Sequence, residues 1–187
     1  PWDGAISLSF EEADAAAFNL KLRIPGWAQG APVASDLYTY VNDVPQTPVT
    51  ITVNGDDVPV EIDKGYVTIS RTWTKGDKVE INLPMEVRQV KANDAVAADR
   101  GKLAIERGPI VYCAEFADNN GTVDGIVIPQ GSTFSVSADT HSGFSTLRRI
   151  QATGTRTVRD DNGKASHEEC TVTLTPYFSR SYRGSGD

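Results

Sequence analysis

The sequence predicts an all-β protein made of antiparallel β-sandwich units, jelly-roll-like, arranged in tandem. Two observations carry that reading. Apolar residues recur at every second position in short runs, as in Phe18, Leu20, Leu22 and Ile24 or Val79, Ile81 and Leu83, the period expected when one face of a strand is buried and the other is wet. Between the runs stand Gly, Pro and Asn-Gly turn signals at roughly 8–12-residue spacing, the pattern of a sandwich.

In order, Ile6, Leu8 and Phe10 alternate with Ala5, Ser7 and Ser9 and predict a first strand with a buried apolar face. The acidic, alanine-rich residues 11–17 read as one helical turn or a loop. A second strand over 18–24 ends at Pro25-Gly26, where proline lacks the ladder donor and glycine accepts turn dihedrals. Residues 29–48 show little periodicity and carry Pro32, Pro45 and Pro48, so they form a long loop or hold one short edge strand over 37–41. Val49, Ile51 and Val53 lead to Asn54-Gly55, a dipeptide suited to a two-residue hairpin because both turn positions need positive φ, with Val58, Val60 and Ile62 as the return strand. Residues 65–84 read as two strands joined by a tight Lys75-Gly76-Asp77 turn, a sandwich hairpin with Val67, Ile69 and Trp73 on its inner face, closed by Pro84.

Residues 85–95 then form a connector, extended over 87–91 and turn-like at Asn93-Asp94. Leu103 and Ile105 begin a second β unit, Gly108-Pro109 bends the chain between sheets, and the apolar run 110–113 suits a strand buried on both faces. Further strands are expected over 126–128, 133–136, 147–152, 155–158 and 170–175, with 160–164 a polar hairpin tip. The chain thus divides into a sandwich over 1–90 and a second β domain over 93–187, the latter ending on the flexible run from Tyr182 to Asp187.

Composition narrows the function classes. Eighteen basic against 25 acidic side chains give a formal net charge of -7, which repels phosphate backbones and anionic lipid and removes nucleic acid and membrane surfaces as partners. No apolar run is long enough to span a bilayer as a helix. Cys113 and Cys170 permit one disulfide or two reduced, buried thiols. The opening Pro1-Trp2-Asp3-Gly4 lacks the basic-then-apolar order of an export signal. The chain is expected to begin inside a longer gene product, which leaves bacterial cytoplasm and periplasm or exterior equally open.

Three segments together resemble a known family. Leu22-Arg23-Ile24-Pro25-Gly26-Trp27-Ala28, the stretch 65–84 and Glu106-Arg107-Gly108-Pro109-Ile110-Val111-Tyr112-Cys113 resemble the region after the catalytic barrel in glycoside hydrolase family 127, the β-L-arabinofuranosidase-like enzymes once filed as a domain of unknown function. The resemblance implies that this chain is the non-catalytic middle and C-terminal portion of such an enzyme, that 29–48 contains an insertion, and that one C-terminal strand is missing. It implies a parent that hydrolyses L-arabinofuranosyl or related plant glycans, with zinc in a helical barrel absent here and no cofactor in this chain. The implied partners are the protein's own N-terminal catalytic barrel, a second copy in a homo-oligomer and a plant polysaccharide. A carbohydrate-binding module is the alternative reading.

The residues themselves offer no reaction centre, so no catalytic, cofactor-binding or metal residue is assigned. Glycoside hydrolysis needs two carboxyl groups about 5–10 Å apart around a sugar, whereas Asp56-Asp57, Asp160-Asp161 and Glu168-Glu169 are sequence neighbours that face opposite sides of a strand or sit in polar turns. His167-Glu168-Glu169-Cys170 contains zinc-ligand types, but a structural zinc wants four ligands in paired spacings, and His141 and His167 read as surface residues. Cys113 sits in the most apolar run, unlike an activated thiol. Aromatic faces stack on sugar rings, so Tyr38, Tyr40 and Trp27 are the candidate carbohydrate contacts. Arg107 and Trp2 are the candidate interdomain contacts.

Overall fold

A computed structural model describes residues 2–41, 46–139 and 147–181; His141 and the run from Tyr182 to Asp187 lie outside them. Among the described residues the protein is all-β and antiparallel, its helical pieces being 3-10 turns of three or four residues. The first unit supplies β1 (Ala5–Ser9), β2 (Ala16–Arg23), β3 (Tyr38–Val41), β4 (Thr50–Val53), β5 (Asp56–Asp57), β6 (Tyr66–Trp73) and β7 (Lys78–Asn82). Then follow β8 (Val87–Ala92), β9 (Leu103–Arg107), β10 (Ile110–Ala114), β11 (Ile126–Val127), β12 (Phe134–Ala138), β13 (Arg148–Arg159) and β14 (Ala165–Pro176).

The first sandwich packs the sheet β1-β7-β4-β5 against the two-stranded sheet β2-β6. Leu22, Val67, Ile69 and Trp73 of the smaller sheet meet Ile51, Val53, Val79 and Ile81 of the larger in one core, as their alternation predicts. Trp73 is fully buried and stacks on Phe10 with ring centroids 4.6 Å apart, a pair worth about 1 kcal/mol beyond its area.

The expected hairpin over 65–84 is corrected here. β6 pairs with β2, and β7 pairs with β1 and β4, so residues 74–77 form an arch from one sheet to the other. The reason is a clamp from a distant residue. Phe10 donates its N–H to the Asp77 carbonyl at 3.0 Å and accepts from Gly76 N–H at 2.8 Å, while Asp77 accepts from Thr74 N–H and from the Asn54 amide, both at 2.8 Å. These bonds satisfy the turn's backbone without a β6–β7 ladder.

Other expectations change too. Asn54 and Gly55 take positive φ of 54° and 91° as the hairpin turn requires, but the return strand is only Asp56–Asp57, with Val58 N–H bonding the Ile51 carbonyl. Ile6 and Leu8 are 41% and 38% exposed, although they share the inner face with their partners Ile81 and Val79. The smaller sheet has too few strands to cover them. Residues 11–17 contain no helical turn.

The second unit is one curled sheet in the order β11-β13-β14-β10-β9-β8-β3, with β12 also on β13. Residues 87–91 are therefore part of a ladder strand, β8, not a connector. The stretch 29–48 yields β3, which leaves the first sandwich and forms the edge beside β8. Gly108-Pro109 does not bend the chain between sheets. It is the two-residue turn of the hairpin β9–β10, whose register places Ile110 opposite Arg107, and Gly108 supplies the positive φ of 56° that such a turn needs at its first position. β10 is not buried on both faces, since Tyr112 is enclosed while Val111 is exposed.

The strands expected over 147–152 and 155–158 are one strand, β13, running through Gly154. A side chain at Gly154 would strike the Val127 carbonyl and Val172. Ile105, Tyr112, Ile150, Val172 and Leu174 form the core of this unit. Beside it Arg149, on β13, donates to Asp118 at 2.8 Å and forms an ion pair with Asp139 at 2.9 Å, all three side chains at most 11% exposed.

Candidate functional site

The place where chemistry-bearing residues gather is the seam between the two units, at the tip of β9–β10. Of three consecutive residues there, Glu106 binds the edge strand of its own sheet, and Arg107 and Gly108 reach across. Glu106 accepts a hydrogen bond from the Tyr40 phenol on β3 at 3.4 Å. Arg107 donates from Nη1 to the Trp2 carbonyl at 2.7 Å. Gly108 sits so tightly that an added Cβ would collide with Met85 Sδ and Cε and touch the Trp27 ring. The tight turn chosen by Gly108-Pro109 is what sets these residues at the end of a rigid hairpin.

Behind the tip lies a polar cluster lined by Trp27, Tyr40, Glu86, Arg88 and Glu106. The Arg88 guanidinium lies 5.0 Å from the Tyr40 ring centroid and 3.9 Å from Glu86. Glu86 also accepts from Thr47 N–H at 2.9 Å. Burial, then the nearby Glu106 carboxylate, pushes the Tyr40 phenol up to about 12, against the opposing pull of Arg88. Burial likewise raises Glu106, with the Tyr40 donation opposing it. The cluster encloses no room for a sugar. It joins a first-unit turn, an edge strand and a second-unit hairpin through charge-assisted contacts.

The predicted carbohydrate contacts are placed as follows. Tyr38 and Tyr40 are half-buried rather than displayed on an open loop, and the Tyr38 phenol donates to Asp99 at 3.0 Å, which raises its pKa. Trp27 packs against the first core and the seam. The three do not form one stacking platform, because Arg88 lies over Tyr40. Of the predicted interdomain contacts, Arg107 and Trp2 meet each other, and the Trp2 ring lies 6.3 Å from that of Phe178 near the far end of the chain.

His167, Glu168, Glu169 and Cys170 lie in succession on β14, opposite Thr157, Arg156, Thr155 and Gly154. Alternation turns His167 and Glu169 to one face and Glu168 and Cys170 to the other. No group of three or more His, Cys, Asp or Glu close enough to hold a metal ion occurs among the described residues. Cys113 and Cys170 are not joined in a disulfide, and both are partly buried. Cys113 is paired with Thr175, which puts Cys170 roughly 17 Å along the strand, beyond disulfide reach. A groove of about 400 Å³ on the concave face of the curled sheet is lined by Leu103, Tyr112, Ile126 and Leu174.

Sequence reasoning missed the Tyr40–Glu106 bond and the close approach of Gly108 to Met85, because neither partner lies near the Glu106-Arg107-Gly108 run in the sequence.

Comparison with known proteins agrees with this architecture. Residues 1–85 match the model of the β-L-arabinofuranosidase GH127 middle domain, and residues 87–187 match the glycoside hydrolase family 127 C-terminal domain. The chain is 31% identical to a non-reducing end β-L-arabinofuranosidase of Bifidobacterium longum subsp. longum, covering 100% of this chain and 28% of that protein. A solved GH127 β-arabinofuranosidase superposes with a TM-score of 0.93 at 39% identity, over 100% of this chain and 29% of that one. A GH127 β-L-arabinofuranosidase from Geobacillus stearothermophilus T6 superposes with a TM-score of 0.81 at 29% identity, again over 100% of this chain and 28% of the other. The chain thus spans less than a third of each of these relatives.

Proposed function

Because the chain belongs to glycoside hydrolase family 127, we propose that it is the non-catalytic, accessory portion of a longer hydrolase acting on L-arabinofuranosyl or related plant glycans. Its work is mechanical. It braces a helical catalytic barrel carried by the remainder of the parent protein, which in this reading also holds any zinc.

The observation that carries the reading is the seam. Arg107 and Gly108 each meet residues of the first unit, Trp2 for one and Met85 and Trp27 for the other, which supports reading the two units as one surface. Interfaces between domains of one chain are usually modest and permit relative motion. A hairpin tip held at two successive residues, Arg107 and Gly108, restricts that motion, and a barrel docked on it is held in one position. The polar residues at the hairpin have partners within the protein: Tyr40 donates to Glu106, Arg107 donates to the Trp2 carbonyl, and Arg88 lies 3.9 Å from Glu86.

The test is hydrolysis of aryl α- and β-L-arabinofuranosides by the purified chain. No sugar release is expected across the panel; release above a buffer blank overturns the reading. Carbohydrate binding is the competing reading, and it rests on Tyr38 of the edge strand β3, whose phenol is already donated to Asp99. Affinity electrophoresis in arabinan tests it, with retardation lost in Tyr38→Ala if that alternative is right.

A further inference from the structure

One side of the first sandwich is open, and its geometry follows from the two arches. Residues 10–15 carry the chain from β1 to β2, and residues 74–77 carry it from β6 to β7. Phe10 bonds Gly76 and Asp77, so the arches lie side by side. β2 therefore lies over β1, and β6 over β7. Among the described residues β1 pairs only with β7, and β2 only with β6, so both strands have a free edge, and the two edges are stacked on the same side.

Along that side the core shows through. Ile6, Leu8 and Phe18 are 41%, 38% and 42% exposed, and Phe18 continues the aromatic cluster of Phe10 and Trp73. Exposed edges are normally protected by Lys, Pro, a bulge or an inward charge. β1 reads Ala-Ile-Ser-Leu-Ser and has none of these; the first half of β2, Ala16 to Leu20, has none either. The lip around this edge is acidic, with Asp3 at one end and the exposed Glu11, Glu12 and Asp14 at the other.

We propose that β1 accepts an added strand from the part of the parent protein outside these residues. The occupant is an extended segment with apolar residues at alternate positions to cover Ile6 and Leu8, and with Lys or Arg toward the lip formed by Glu11, Glu12 and Asp14. Main-chain bonds to the open edge give affinity, and the alternating side chains give register. A polypeptide to supply it is at hand in the relatives, where more than two thirds of the length lies beyond the region this chain matches. The inference rests on the reading of the chain as a brace for that remainder, and it names the surface the remainder grips.

Hydrogen–deuterium exchange in the 187-residue chain and in the full-length parent tests it. The β1 amides that do not bond β7 should exchange at least 100-fold more slowly in the parent. Ile6→Lys and Leu8→Lys should remove that protection and lower the parent's melting temperature by at least 5 °C more than they lower that of the isolated chain, where the two residues are 41% and 38% exposed. Val136→Lys, at an exposed apolar site on β12, should do neither. If the parent slows exchange elsewhere in the chain while β1 stays fast, strand addition is wrong and the brace survives. If no amide of the chain is slower in the parent, the brace falls with it. Protection of β1 that grows with concentration of the isolated chain would assign the edge to a second copy and overturn the proposal.

Discussion

Arg107 Nη1 donates to the carbonyl of Trp2 across 2.7 Å and a sequence separation of 105 residues. That bond ties the hairpin of the second unit to the first residues of the first. Together with the close approach of Gly108 to Met85 it makes the seam a short, geometrically demanding joint, and Tyr40–Glu106 ties the edge strand to the same hairpin.

Gly108→Ala should destabilise the chain by about 2 kcal/mol, because the residue has φ of 56° and its new Cβ would overlap Met85. Combining it with Met85→Ala should recover part of the loss, leaving the backbone strain. Urea unfolding of the two single variants and the double variant measures both parts. Equal losses with and without Met85 would mean that the clash is absent.

The Tyr40 phenol is held up to about 12 by burial and by Glu106, while in the unfolded chain it titrates near 10. A raised folded pKa gives stability that is complete below pH 10 and lost as pH climbs from about 10 toward 12. The wild type should show an alkaline decline in that window, and Tyr40→Phe a smaller one. Denaturant midpoints at pH 8 and pH 11.5 compare them.

Asp77 titrates below an ordinary carboxyl because the Asn54 amide and then the Thr74 N–H stabilise its charge. A depressed folded pKa gives stability present above the unfolded value and lost as pH falls through the folded one. Acid unfolding should therefore be less steep in Asp77→Asn, with its largest difference from wild type at neutral pH. Identical acid limbs would detach Asp77 from the arch.

Much of this was legible in the residues. The alternation of Leu20, Leu22, Val67, Ile69, Val79 and Ile81 reports which face each strand buries, and the structure buries those faces. Pairing partners were not legible. Lys75-Gly76-Asp77 suits a hairpin and an arch equally, and the choice is made by Phe10, more than 60 residues earlier, through two backbone bonds that have no side-chain signature. For the same reason β3 joins the far sheet without a local mark of its destination. Ile6 and Leu8 announce an inward face, but how far a sheet is covered depends on the number of strands opposite. Of the candidate site, Arg107, Trp2 and Tyr40 stand out by residue type, but the partner each meets does not: Tyr40 meets Glu106 only because β3 runs beside β8.

Arg149 holds Asp118 and Asp139 in a buried triad. Arg149→Met leaves two enclosed carboxylates without their cation and should cost about 3–5 kcal/mol. The triple change with Asp118→Asn and Asp139→Asn should cost less than Arg149→Met alone. Chemical denaturation decides, and a triple variant weaker than the single one would contradict the pairing.

Differential scanning calorimetry of the wild-type chain and of Arg107→Met combined with Gly108→Ala most directly tests whether the two units act as one brace. Wild type should unfold in a single transition with equal calorimetric and van't Hoff enthalpies, and the double variant should split into two transitions. A wild-type trace that already resolves into two independent transitions would contradict the account.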